Sequence, residues 1–110
     1  MPSQVVRVDA LRTLAFGSIS GTYAALGTPF AHQMRLVKLT NNTNADLTFS
    51  FDAVTDNLIV PSGSFTLFDL TTNHTIPDTT FVFQNGTQFY VKGAPSLGSV
   101  YLEAIYGQGE

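Results

Sequence analysis

The feature that most constrains this chain is a rhythm. Short β-branched and aromatic runs, broken by Gly, Pro, Asn and Asp, recur at roughly 8–12-residue spacing, with no helical period of useful length between them. The clearest run spans residues 46–52, where Leu47, Phe49 and Phe51 alternate with Asp46, Thr48, Ser50 and Asp52. Side chains alternate across a strand, so this segment needs one face in a core and one in water. Further runs fall at residues 11–18, 22–26, 32–40, 57–60, 64–70, 81–83, 87–92 and 99–106. This spacing predicts an all-β protein, an antiparallel β-sandwich of jelly-roll or Ig-like type with about eight short strands.

The breaks between runs carry their own signals. Asn41-Asn42-Thr43-Asn44 reads as a strong turn, because Asn tolerates left-handed backbone and caps its own amides. Asn85-Gly86, between Phe81-Val82-Phe83 and residues 87–92, is the best two-residue hairpin signal in the chain. Residues 1–10 read as an extended arm, 11–106 as the sandwich, and 107–110 as a polar tail.

A chain of 110 residues is long enough to bury one core without cross-links. It contains no cysteine, which excludes disulfides, thiolate metal sites and cysteine nucleophiles. Stability must come from apolar burial. The nine phenylalanines supply much of it, at roughly 1.5–3 kcal/mol for each one fully buried.

Several runs are apolar on both faces. In residues 64–70, Phe65 and Leu67 oppose Phe68 and Leu70; in residues 99–106, Val100, Leu102 and Ala104 oppose Tyr101 and Ile105. In residues 32–40, Met34 and Leu36 oppose Val37 and Leu39. A sandwich buries one face of each sheet, so a second apolar face needs cover from a loop, the arm or another subunit. Charged residues make up only 12% of the chain, about half the usual share. That scarcity suits a surface covered in an assembly, where desolvating charge is costly. Phe68, Leu70, Tyr101 and Ile105, with Tyr106 near the tail, are the expected interface residues.

Partners of other kinds are disfavoured. The net charge is −3, and the five basic residues Arg7, Arg12, Arg35, Lys38 and Lys92 form no run, which argues against nucleic acid. No apolar stretch approaches the ~18 residues that span a bilayer. Met1-Pro2-Ser3-Gln4 does not resemble the start of a secretory signal, so synthesis in the cytoplasm is expected.

Catalytic equipment is not evident. His32 and His74 lack metal-ligand spacing. Asp52, Thr55, Asp56 and Asn57 offer oxygens but not the calcium-loop pattern, and Asp or Asn in turns usually binds local backbone donors. Gly17-Ser18-Ile19-Ser20-Gly21 has Ile where a nucleophile elbow carries Ser. A glycosidase carboxylate pair is improbable in so small a chain without Trp. The acceptor patterns at Asn41, Asn73 and Asn85 fit chance in an Asn- and Thr-rich sequence. No enzyme activity, metal or cofactor is therefore expected. An alternative is a carbohydrate- or receptor-binding module, with Tyr23, Tyr90, Tyr101 and Tyr106 as stacking platforms.

Two stretches, Gly21-Thr22-Tyr23-Ala24-Ala25-Leu26-Gly27-Thr28-Pro29 and Arg35-Leu36-Val37-Lys38-Leu39-Thr40-Asn41-Asn42-Thr43, resemble a group of small tailed-bacteriophage virion proteins. So do Ser50-Phe51-Asp52 with Thr55-Asp56-Asn57, Val60-Pro61-Ser62-Gly63-Ser64, Leu67-Phe68-Asp69, Gly86-Thr87-Gln88 and Tyr90-Val91-Lys92, and the closing run from Ser99 to Gly107. The resemblance spans nearly the whole chain after the arm. It implies a structural part of a virion, either capsid decoration or a neck or tail ring. Its partners would be copies of itself and capsid, portal or tail proteins, with no enzyme activity and no cofactor. It carries over no functional residues.

Overall fold

A computed structural model describes residues 4–69 and 83–109, with side chains for residues 7–69 and 83–106. Nine strands appear in it: β1 (Gln4–Val8), β2 (Arg12–Ala15), β3 (Ala24–Ala25), β4 (Leu36–Thr43), β5 (Leu47–Ser50), β6 (Leu58–Val60), β7 (Phe65–Asp69), β8 (Tyr90–Lys92) and β9 (Gly98–Gly109). The only helical element among the described residues is a 3-10 turn, Phe16–Ser18. No helix among them is long and apolar enough to cross a membrane.

The strands form two antiparallel sheets. One has the order β1-β9-β4-β7, with β2 on the same edge of β9 as β1; the other is β3-β8-β5-β6. Strands β2 to β9 thus interleave as β2-β9-β4-β7 over β3-β8-β5-β6, which is the wrapping of a jelly roll. The protein is an all-β sandwich, and of the two expected types its topology selects the jelly roll. The first strand adds to this core. It pairs Gln4 to Gly109 and Val8 to Ile105, while β4 reaches only as far as Ile105 along β9. Residues expected as an arm and a tail therefore pair with each other in a two-stranded ribbon.

Alternation along the strands builds the core. Val37 and Leu39 on β4 face Leu102 and Ala104 on β9, while Leu47, Phe49, Val60 and Val91 close from the opposite sheet, all at most 1% exposed. Leu26, Phe30, Met34 and Phe89 fill the open end.

Two turns differ from expectation, both because distant pairing overrides local propensity. Asn41, Asn42 and Thr43 are not a turn but the last residues of β4, paired to Val100, Ser99 and Gly98. Asn41 is fully buried, and its side chain is satisfied on both sides. Its Nδ2 donates to Ala45 O at 2.9 Å and Val60 O at 2.8 Å, and its Oδ1 accepts from Thr43 N at 3.0 Å and Thr43 Oγ1 at 2.6 Å. Asn85-Gly86 does turn, with Thr87 N donating to Gln84 O at 3.2 Å, but it does not join two paired strands. Its flanks pair with the segment before β4: Phe83 exchanges hydrogen bonds with Met34, and Gly86 N donates to Phe30 O at 2.6 Å. Asn85 keeps a negative φ, so this is not the mirror-image turn of a tight hairpin. Phe81 and Val82 lie outside the described residues.

A buried arginine locks the loop ahead of Phe30. Arg12 Nε donates to Thr28 O at 2.8 Å and its Nη1 to Asp9 Oδ2 at 2.7 Å, with the guanidinium 5.0 Å from the Phe30 ring centroid. Gly27 (φ +70°) leaves room for the stem, since a Cβ there would stand 2.7 Å from Arg12 Cγ.

Candidate protein-interaction face

The outer face of the five-stranded sheet follows from register. One cross-strand row carries Val8, Ile105, Leu36 and the exposed Asp69, the next Glu103, Lys38 and Leu67, and the third Thr13, Tyr101, Thr40 and Phe65. Val8 is 73%, Phe65 58% and Leu67 50% exposed, while Leu36, Tyr101 and Ile105 are half-buried. Exposed apolar residues are ordinary when scattered, as Leu11, Phe16, Val54, Ile59 and Leu97 are, but Val8, Phe65 and Leu67 share this face. Lys38 and Glu103 are direct partners at its centre, and Lys38 Nζ sits 4.8 Å from the Phe65 ring centroid.

Four of the five expected interface residues are among those described, and they divide between the two sides of this sheet. Tyr101 and Ile105 lie on the outer face. Phe68 does not: it pairs with Val37, points inward, and packs edge-on against Phe83 and Phe89 at centroid distances of 5.4 and 6.4 Å. Tyr106 also turns inward, packs on the core and stacks on His32 at 4.0 Å. Leu70 lies outside the described residues, as does His74. Sequence reasoning missed Phe65 and Leu67 as the exposed pair. Period-two alternation placed them on one side but could not say which side was covered.

The carboxylate turn after β5 is bound to itself. Asp52 accepts from Val54 N at 2.9 Å and Thr55 N at 2.7 Å, and from Ser50 Oγ at 2.8 Å and Thr55 Oγ1 at 3.1 Å. The Thr55 and Val54 amides, followed by Ser50, hold its carboxyl well below the usual range. Ala53 adopts a left-handed φ of 65° to close this turn. Asp56 serves a different group: it accepts from Tyr23 OH and from Lys92 Nζ at 3.1 Å, while Lys92 lies 4.7 Å over the Tyr23 ring. Those two hydrogen bonds lower Asp56, and desolvation with the Asp56 contact pushes Tyr23 up to about 12. Both oxygens of Asp52 are thus spent on local donors, and Oδ1 of Asp56 on Tyr23 and Lys92. Among the described residues, no three His, Asp or Glu side chains gather as a metal site. Ser20 presents its Oγ to Thr22 N at 3.3 Å, and Ile19 between the two serines is core.

The four tyrosines do not make one platform. Tyr23 and Tyr90 belong to the four-stranded sheet's side, Tyr101 to the outer face of the other sheet, and Tyr106 to the core. Tyr90 lines a shallow groove of about 430 Å³ with Phe51, Phe83, Gln84, Gly86, Thr87 and Gln88.

No family model matches this sequence, and no curated protein matches it. A solved structure described as "Bacillus endospore appendages form a novel family of disulfide-linked pili" is similar to this chain. It is 14% identical over 94% of this chain and 89% of that chain, with a TM-score of 0.49.

Proposed function

We propose that this chain is a non-enzymatic structural subunit of a bacteriophage virion, a repeated β-domain that packs through the outer face of its five-stranded sheet. The observation that carries the reading is the pair Phe65 and Leu67, 58% and 50% exposed beside Leu36, Tyr101 and Ile105. Covering the exposed half of each such side chain returns roughly 1 kcal/mol, which in an assembly works against the cost of association.

The occupant is a second copy of the chain. The face carries Lys38 and Glu103 side by side at its centre. A two-fold axis running along the strands between them sets each Lys38 against the other copy's Glu103, and each Leu36 against the other copy's Ile105. The virion setting rests on the sequence resemblance and, by fold-level analogy only, on the jelly roll's use in capsid domains.

Charge reversal tests the pairing. Lys38→Glu and Glu103→Lys each place like charges in apposition and should dissociate the assembly in light scattering; the double reversal should restore it. Purified protein should also add to phage particles that lack it. A monodisperse monomer at high concentration that also fails to join particles contradicts the reading.

A further inference from the structure

The groove at the end of the sandwich, where β5 finishes and β8 begins, shares no residue with the outer face of the five-stranded sheet. Two half-buried rings, Phe51 and Phe83, line it with centroids 6.1 Å apart and planes inclined by only 32°. Buried Phe89 supports both, at 4.8 Å from Phe51 and 5.8 Å from Phe83. The two rings thus touch over a common support, and Phe83 also packs edge-on against Phe30 and Phe68.

The remaining lining is polar yet uncharged: the amides of Gln84 and Gln88, the hydroxyls of Thr87 and Tyr90, and the backbone at Gly86. Gln88 is fixed by its own hydrogen bonds, its Nε2 lying 3.2 Å from Leu26 O and Gly27 O and 3.1 Å from Phe89 O. Gln84 is exposed at the rim.

This combination selects a ligand class. A charged group entering the groove would lose hydration without meeting a countercharge. A wholly apolar molecule would cover the rings but make no use of the Thr87 and Tyr90 hydroxyls or of the exposed Gln84 amide. A ring with an apolar C–H face and a periphery of hydroxyls satisfies both parts of the lining, since aromatic faces accept such surfaces while amides reach the edge. The groove is shallow, with a volume of about 430 Å³. We propose that the groove between Phe51, Phe83 and Gln84 binds an uncharged pyranoside.

The test is an NMR titration of the full isotope-labelled chain with methyl β-glucopyranoside, methyl α-mannopyranoside and methyl α-galactopyranoside, with glucuronate and glucosamine as charged analogues. At least one neutral glycoside should give saturable shifts confined to Phe51 and residues 83–90. Gln84→Ala, an exposed change that spares the core, should weaken that binding by up to about tenfold. Phe51→Leu should abolish it, with amide spectra confirming that the variant is folded. The proposal is overturned if no neutral glycoside shifts these amides, if charged analogues bind as well or better, or if Gln84→Ala leaves the affinity unchanged. A proline-rich or aromatic peptide that alone saturates the groove would overturn it too.

Discussion

Lys38 on β4 and Glu103 on β9 are direct cross-strand partners at the centre of the sheet's outer face, with the Lys38 ammonium 4.8 Å from the Phe65 ring centroid. This neighbourhood makes the face self-complementary. Its central charges cancel within one copy and can cross-pair between two, while Phe65 and Leu67 supply apolar area beside them.

Arg12 should be the costliest polar residue to remove. Its guanidinium joins Thr28 O, Asp9 and the Phe30 ring, and almost all of it is buried. Arg12→Met keeps much of the stem's volume but leaves those acceptors without their donor. Urea unfolding should show a loss of about 2–3 kcal/mol.

Gly98 should tolerate no side chain. Its φ is +91°, and a Cβ there would stand 2.0 Å from Asn42 O at the end of β4. Gly98→Ala should therefore destabilise by more than about 2 kcal/mol in the same assay, with the β4–β9 junction losing amide protection first.

Ala53 offers the opposite change. It holds a left-handed φ of 65° in the turn that Asp52 organises, a conformation that disfavours a Cβ. Ala53→Gly should stabilise by up to about 1 kcal/mol, the strain relieved being partly offset by the greater unfolded-state freedom of Gly.

The pH dependence has two arms of opposite sign. Asp52 and Asp56 lie below their ordinary values in the folded chain, so their stabilisation is present above the unfolded carboxylate range. It is lost as pH falls through the folded values. Tyr23 is raised to about 12 from 10.0, so its contribution is complete below the unfolded value and disappears as pH rises through about 12. Ultraviolet titration of the wild type against Tyr23→Phe should show Tyr23 ionising near 12, and Asp56→Asn should bring it back toward 10.0.

Much of the fold was legible in local pattern. The alternation of Leu47, Phe49 and Phe51 marked β5, and the both-sided apolar runs marked strands of the larger sheet. What escaped depends on contacts far apart in sequence. Asn41 reads as a turn former until Val100 pairs with it and Val60 O accepts its amide. Asn85-Gly86 reads as a hairpin until Phe30 and Met34 claim its flanks. Phe68 and Leu67 are equally apolar neighbours, and only the pairing of Phe68 with Val37 decides which one is buried. The groove was invisible for the same reason, because Phe51 and Phe83 meet over Phe89 from separate segments.

The most direct measurement of the central claim is sedimentation velocity on the wild type and Leu67→Glu across a wide concentration range. Leu67 is half exposed and opposite Lys38, so the new carboxylate gains a cross-strand partner and the monomer should melt as the wild type does. The account predicts that the wild type sediments as an oligomer while Leu67→Glu sediments as a folded monomer. A wild type that remains monomeric throughout, or a variant whose mass matches an oligomeric wild type, contradicts it.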